Sequence, residues 1–481
     1  MNLFKKSISN ILAESEVIGE HSLKRSLNAY HLTSIGIGMI IGAGLFSLTG
    51  IAAAEYAGPA VTLSFLLAGV GCAFCGLCYA EFASMIPVSG SAYTYTYATL
   101  GELLAWIIGW DLVLEYTVGA ATVAISWSQY FTKFLHYFGL SFPIQYALSP
   151  FESISLPHGE TVHGIFNFPA VAIVVLITLV LIKGTKESAW VTSAIVLLKV
   201  SVVLIFILVG WHFIHTENYN DYIPKNTGIF GQFGISGIFR GAGIVFFAFI
   251  GFDAVSTAGL EAKNPKRDLP IGIIASLLVC TFLYILFAHV LTGMVNYKDF
   301  KNSAAPVAIA IGRTPYPWLQ ISIILAILAG YSSVILVDLM AQSRIFYSMS
   351  LDGLLPKLFS EIHPNFRTPY KSNLILGVFV ALFAAFVPVH VVGEMTSIGT
   401  LFAFILVCIG VWILRKKSPE IHRSFKLPWM PLIPILGIGT CALMMYSLPW
   451  PTWVRLIVWL AIGLIIYFTY SIKNSHIRRN S

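Results

Sequence analysis

Lys199 is the one charged residue in AIVLLKVSVVLIF (194–206), where only Ser201 is otherwise polar. An ammonium in such a run has three uses. It can snorkel to the surface, pair with a buried acid, or act as a fixed cation in a transport site. Three acids stand in similarly apolar surroundings. Asp111 and Glu115 in GWDLVLEY (109–116) are four apart, on one helical face, so they could pair with each other or with Lys199. Asp338 in YSSVILVDLMAQSR (331–344) could attract a cationic group, pair with Arg344, or carry a proton. Two glycine-bearing stretches offer backbone rather than side-chain chemistry. They are GIGMIIGAGLF (36–46), with Gly36, Gly38, Gly42 and Gly44, and FFAFIGFDAVST (246–257), with Gly251 followed by Asp253. The spacing of the first is not that of a dinucleotide fingerprint, and no strand precedes it. Cys72, Cys75 and Cys78 in CAFCGLC have no nearby histidine or fourth cysteine; their setting among Gly, Ala and Leu reads as close helix packing, with no metal and no disulfide expected.

The elements that must hold these residues follow from composition. The 481 residues are 57% hydrophobic and 11% charged, with mean hydropathy +0.81. A soluble chain carries about 25% charged residues, so the reading is an all-α polytopic membrane protein. A bilayer core of roughly 30 Å takes about 20 apolar residues per helix. Twelve segments qualify, near 31–53, 59–84, 95–129, 167–184, 190–213, 234–258, 270–295, 317–350, 372–388, 394–414, 429–448 and 452–472. They are numbered 1 to 12 below. Segments 3 and 8 exceed one bilayer. Alternating them across a membrane puts twenty of the 29 Lys and Arg on one side and six on the other, with Lys199, Arg240 and Arg344 in or at the ends of segments. The positive-inside rule then places both termini in the cytoplasm. It also accounts for the net charge of +7 without a nucleic-acid partner. The first 29 residues read as a cytoplasmic arm with no cleavable signal, and the longest connection, about 130–166, as an external loop.

Lys199 lies nine residues from Trp190, roughly 13 Å along a helix, hence near mid-membrane, where snorkelling is least effective. The glycines of segment 1 weaken its helix, either to allow close packing through Gly38 and Gly42 or to break it and turn backbone groups to a cavity. Segment 6 occupies the matching place if segments 1–5 and 6–10 are two halves. Paired broken helices are the best sequence pointer to a carrier's central site. Half-helix N-termini attract an anion and C-terminal carbonyls a cation, which suits a zwitterionic α-amino acid.

These stretches, with YAEFASMIPVSGSAYTY (79–95), EAKNPKRDLPIGI (261–273) and RIFYSMSLDGLLP (344–356), resemble the amino acid–polyamine–organocation superfamily, and within it bacterial relatives of the cationic amino acid transporters. The similarity runs from about residue 24 to the last helix. It implies a five-plus-five inverted repeat with broken helices 1 and 6, two added helices, and alternating access around a site between segments 1, 6 and 8. By resemblance, the backbone of Ile41, Gly42, Ala43 and Gly44 holds the substrate carboxylate, and carbonyls of Phe247, Ala248 and Ile250 hold its amine. Glu115 lies near the pocket or the lysine. Asp338 falls where relatives carry a residue that contacts the substrate side chain. Lys199 stands in for the metal ion of sodium-coupled relatives, bonding segment 1 carbonyls and the hydroxyls of Ser332 or Ser333 when protonated and releasing them when not. One departure is Leu260, where the family often has a second acid before Glu261.

The resulting expectation is a secondary active amino acid permease of the cell membrane, proton-coupled and selective for cationic amino acids. Its partners are the substrate, protons and membrane lipids, and it needs no cofactor. Its organisation is an arm (1–29), a transport core (30–415), and segments 11 and 12 with a cytoplasmic tail (416–481). An amino acid/amine exchanger, a neutral amino acid:proton symporter and an amino acid sensor remain open. A channel lacks a pore-lining repeat. An enzyme lacks a constellation such as HExxH, and His289 stands alone in segment 7.

Overall fold

Glycine and proline fix where the helices of this chain stop. The computed structural model describes residues 27–86, 91–155, 161–184, 189–253, 255–256, 262–301 and 303–479. Gly90, the Leu260–Glu261 pair and the arm up to residue 26 lie outside these. Among the described residues, seven helical stretches are long and apolar enough to cross a bilayer, and four apolar helices are shorter, Phe168–Lys183, Gly234–Phe249, Tyr370–Phe386 and Leu432–Ser447. Their outward faces carry exposed Leu179, Leu197, Phe282, Leu382 and Ile465, apolar surface of the kind that hydrocarbon covers. The chain has the mostly helical build of a polytopic membrane protein.

Three sequence expectations need correction. Segment 3 does not begin at 95. A separate helix, Ser91–Thr99, ends before Gly101, whose φ of 96° stops it, and the long helix runs Glu102–Tyr137. Segment 7 starts earlier than 270, because Pro265 sits in the first turn, where its missing N–H costs nothing, and Asp268 accepts from the Asn264 amide at 3.2 Å. KNPKRDLP (263–270) is therefore mostly helix. The connection between segments 3 and 4 contains a hairpin, Ser153–Ser155 paired antiparallel with Thr161–His163.

The helices pack in a repeating order. Segment 2 lies along segment 7, segment 3 along segment 8, and segment 4 along segment 9. The helix Ala29–Ile40 of segment 1 rests on segment 7, as Gly234–Val245 of segment 6 rests on segment 2. Segment 10 lies on segment 3 as segment 5 lies on segment 8, and segment 5 touches segment 1 as segment 10 touches segment 6. All six cysteines are buried free thiols; Cys75 Sγ lies 3.4 Å from Cys441 and 3.8 Å from Cys408, where segments 2, 10 and 11 meet.

Candidate functional site

Segment 1 is interrupted. Its first helix ends at Ile40, Ile41 is extended (φ −73°, ψ 107°), and helical turns resume over Gly44–Leu48. Segment 6 is interrupted at the same depth. Gly234–Val245 tightens into a 3-10 turn at Phe246–Phe249, Ile250 is extended (φ −60°, ψ 138°), and Gly251 has a φ of 111°, a value side chains rarely allow. The two breaks touch. A Cβ on Gly44 would run into the backbone of Ala248, and one on Gly251 would sit 3.1 Å from the Met39 carbonyl.

A helix that stops at Ile40 leaves its last four carbonyls without helical donors. Ile37 receives the Ile41 amide at 3.0 Å, Gly38 receives Lys199 Nζ at 2.8 Å, and Ile40 receives the Tyr284 hydroxyl at 2.8 Å. Tyr284, from segment 7, shares that proton with the Ala248 carbonyl at 2.9 Å, so one fully buried hydroxyl clips both breaks. The ammonium sits where the negative end of the half-helix dipole favours a cation. Beyond the gap, the Leu45 and Phe46 amides both return to the Gly42 carbonyl, 3.2 Å each. The amides of Gly42, Ala43 and Gly44 precede that turn, so the restarting helix has no acceptor of its own for them.

Segment 8 lines this region with one face at four-residue intervals. A Cβ on Gly330 would lie 3.2 Å from Lys199 Cε, Val334 Cγ2 would be 3.6 Å from one on Gly42, and Asp338 Oδ2 3.6 Å from one on Gly119 of segment 3. Asp338 is half-buried and lies within Coulombic range of Lys199 and Asp253, while Arg344 is exposed. The hydroxyls of Ser332 and Ser333 donate to their own helix, to Leu328 at 2.9 Å and Gly330 at 2.8 Å. Lys199 is thus joined to segment 1 through Gly38, and the serines contribute at most their acceptor lone pairs. Phe247 and Ala248 already accept one proton each, from the Ile250 amide (3.3 Å) and Tyr284, and each keeps a second lone pair. Asp111 lies against Gly399 of segment 10, and Glu115 lies beside Thr400 of the same segment, in the field of Asp253 and Asp338. Among the described residues no group of three or more His, Cys, Asp or Glu could hold a metal ion.

Sequence reasoning missed Tyr284, because a lone tyrosine in an apolar helix carries no periodic signal. It also missed the Gly330–Val334–Asp338 face, whose partners come from other segments.

Residues 27–470 match a protein family described as amino acid permease. A methylthioribose transporter of Bacillus subtilis (strain 168) is 43% identical over 471 residues, 98% of this chain and 98% of its own length. The branched-chain amino acid permease BcaP of the same organism is 44% identical over 478 residues, 99% and 98% of the two chains. A vacuolar cationic amino acid transporter 4 of Arabidopsis thaliana is 38% identical over 405 residues, covering 84% of this chain and 65% of its own. A chain matched along nearly its whole length, with helices that span a membrane, belongs to the amino acid permease family and is a membrane carrier of amino acids.

Proposed function

We propose that this permease accumulates a neutral, aliphatic α-amino acid by proton symport across the cell membrane. Twelve segments cross the bilayer, with both termini cytoplasmic and a transport core at 30–415. The packing order supports an inverted repeat of segments 1–5 and 6–10. Exchanging 1 with 6, 2 with 7, 3 with 8, 4 with 9 and 5 with 10 maps each contact described above onto another. The substrate carboxylate lies on the amides of Gly42, Ala43 and Gly44, and its amine on segment 6 carbonyls at Phe247, Ala248 and Ile250. Lys199 is the coupling group. The observation that carries this reading is the 2.8 Å bond from Lys199 Nζ to the Gly38 carbonyl. It ties an ionisable cation directly to the half-helix whose movement opens and closes the site. Loss of its proton leaves a neutral amine and weakens that tie from a charge-assisted bond to an ordinary one.

The substrate class follows from charge balance. Asp338 is the acid nearest in field to Lys199, so the pair is balanced without a cationic side chain. The relatives that share nearly the whole length with this chain are named for neutral substrates. A second reading, selection of lysine, arginine or ornithine, is favoured by the position of Asp338 opposite Gly119, beside the break. The two differ in driving force. A cationic substrate gains about 2.3 kcal/mol per 100 mV from an inside-negative potential, whereas a neutral one needs the proton.

Purified protein in sodium-free proteoliposomes tests this, with labelled leucine, valine, alanine, lysine and arginine under imposed pH and voltage. Accumulation of neutral amino acids on an inward proton gradient is expected. Voltage-driven lysine uptake that Asp338→Met abolishes establishes the second reading instead. Substrate binding without uptake identifies a sensor.

A further inference from the structure

Segment 3 carries three acids in opposite surroundings. Glu102, in its first turn, accepts from Tyr97 (3.2 Å), Tyr467 (2.9 Å), Arg478 (2.7 Å) and Ser475. That carboxylate is saturated. Asp111 and Glu115 are 0% and 2% exposed, and no oxygen of either meets a hydrogen-bond donor among the described residues. Thr400 lies beside Glu115 but gives its hydroxyl proton to the Thr396 carbonyl at 3.0 Å. Gly399, opposite Asp111, has no side chain to offer. Two bare carboxylates one helical turn apart repel, and each is costly to bury. Such a pair is stable only if it holds a proton, water, or both.

Two further groups point to water. The hydroxyls of Tyr79 (segment 2) and Tyr95 (helix Ser91–Thr99) are fully buried and also make no hydrogen bond among the described residues. Tyr79 lies in the field of Glu115, Asp253 and Tyr95, with the Tyr95 ring 6.4 Å away. Tyr95 lies beside Ser256, whose own proton goes to the Asp253 carbonyl at 2.5 Å. Buried polar groups of native proteins are satisfied, by water where protein does not reach. Unsatisfied groups from three elements around one space therefore mark a hydrated chamber. The charged groups facing Glu115 across it are Asp253 of segment 6, Asp338 of segment 8 and, on its own helix, Asp111. Segments 2 and 10 and helix Ser91–Thr99 contribute hydroxyls, and Asp338 lies in the field of both Glu115 and Lys199.

We propose that Asp111 is the last buried proton carrier between Lys199 and the cytoplasm, reached through Glu115 and the water held by Tyr79 and Tyr95. The inference rests on the proton-coupled reading above. The proton leaves Nζ, which becomes a neutral amine, and forms an O–H bond on each carboxylate in turn; no electrons are exchanged. From Asp111, nine residues or roughly 13 Å of helix remain to Glu102, whose saturated carboxylate is no stop on the route.

The test separates proton release from substrate movement. Exchange of labelled for unlabelled substrate at equal pH needs no proton release, and net accumulation on a proton gradient does. In proteoliposomes of Asp111→Asn, exchange is expected within about twofold of wild type and net accumulation lower by about tenfold or more, with Asp111→Glu restoring most of it. Tyr95→Phe lowers net accumulation several-fold and leaves exchange intact. Asp111→Asn protein that accumulates substrate with the wild-type pH profile overturns the proposal. So does equal loss of exchange and accumulation without rescue by Asp111→Glu, which marks a merely structural residue. If Asp111→Asn does not assemble, Tyr95→Phe decides, and unchanged accumulation counts against the chamber. Wild-type protein that ignores a proton gradient refutes the coupling reading itself, a result obtained without any variant.

Discussion

Lys199 is held by close packing and by one bond to the backbone of segment 1. Its stem passes Gly330, where any side chain would crowd it, and its ammonium ends on a carbonyl that the helix break has freed. A neutral side chain there leaves the Gly38 carbonyl unpaired and the field of Asp338 unanswered. Lys199→Ala is therefore expected to lose proton-driven accumulation in proteoliposomes by about tenfold or more while retaining some downhill flux. Full pH-driven uptake by that variant would remove the lysine from the mechanism. The residue scale was partly legible in sequence, because a charge among apolar neighbours is visible without a fold. Its partner was not. Gly38 lies 161 positions away, and no local pattern marks which carbonyl a break will expose. Ser332 and Ser333 show the same limit, since serine on a helix can satisfy itself from the preceding turn, as both do here.

The breaks are the elements that matter, and their presence could be read from glycine density while their mutual contact could not. Gly44 is packed against the Ala248 backbone, so its requirement is close approach as much as flexibility. Gly44→Ala should reach the membrane yet transport at least about tenfold more slowly, because segments 1 and 6 would be pushed apart. Equal transport by that variant would show that the two breaks need not touch. Segment 3 misled the sequence reading for a physical reason. Only Leu100 and Gly101 stand between SAYTYTYAT and the following helix, and the backbone at Gly101 separates them.

On the scale of the whole molecule, the connection between segments 10 and 11 is fastened to the core by one acid. Glu81, at the end of segment 2, takes Arg415 through Nε (2.8 Å) and Nη2 (2.7 Å), Arg423 Nε (3.2 Å) and the Leu427 amide (2.8 Å). Arg423 is 3% exposed, so removing its counter-ion strands a buried charge. Glu81→Ala should destabilise the detergent-solubilised protein by about 3–5 kcal/mol, seen as a lowered unfolding temperature. An unchanged temperature would mean that the connection between segments 10 and 11 is not fastened there. The charges along the sequence do not show that a single carboxylate would gather two arginines and an amide. The account as a whole stands on a zwitterion bound between two broken helices. A cryo-EM map of the protein with bound amino acid tests that most directly. Density is expected between the amides of Gly42–Gly44 and the carbonyls of Phe247–Ile250, with Lys199 on Gly38. Unbroken hydrogen bonding through segments 1 and 6, or substrate density elsewhere, would contradict it.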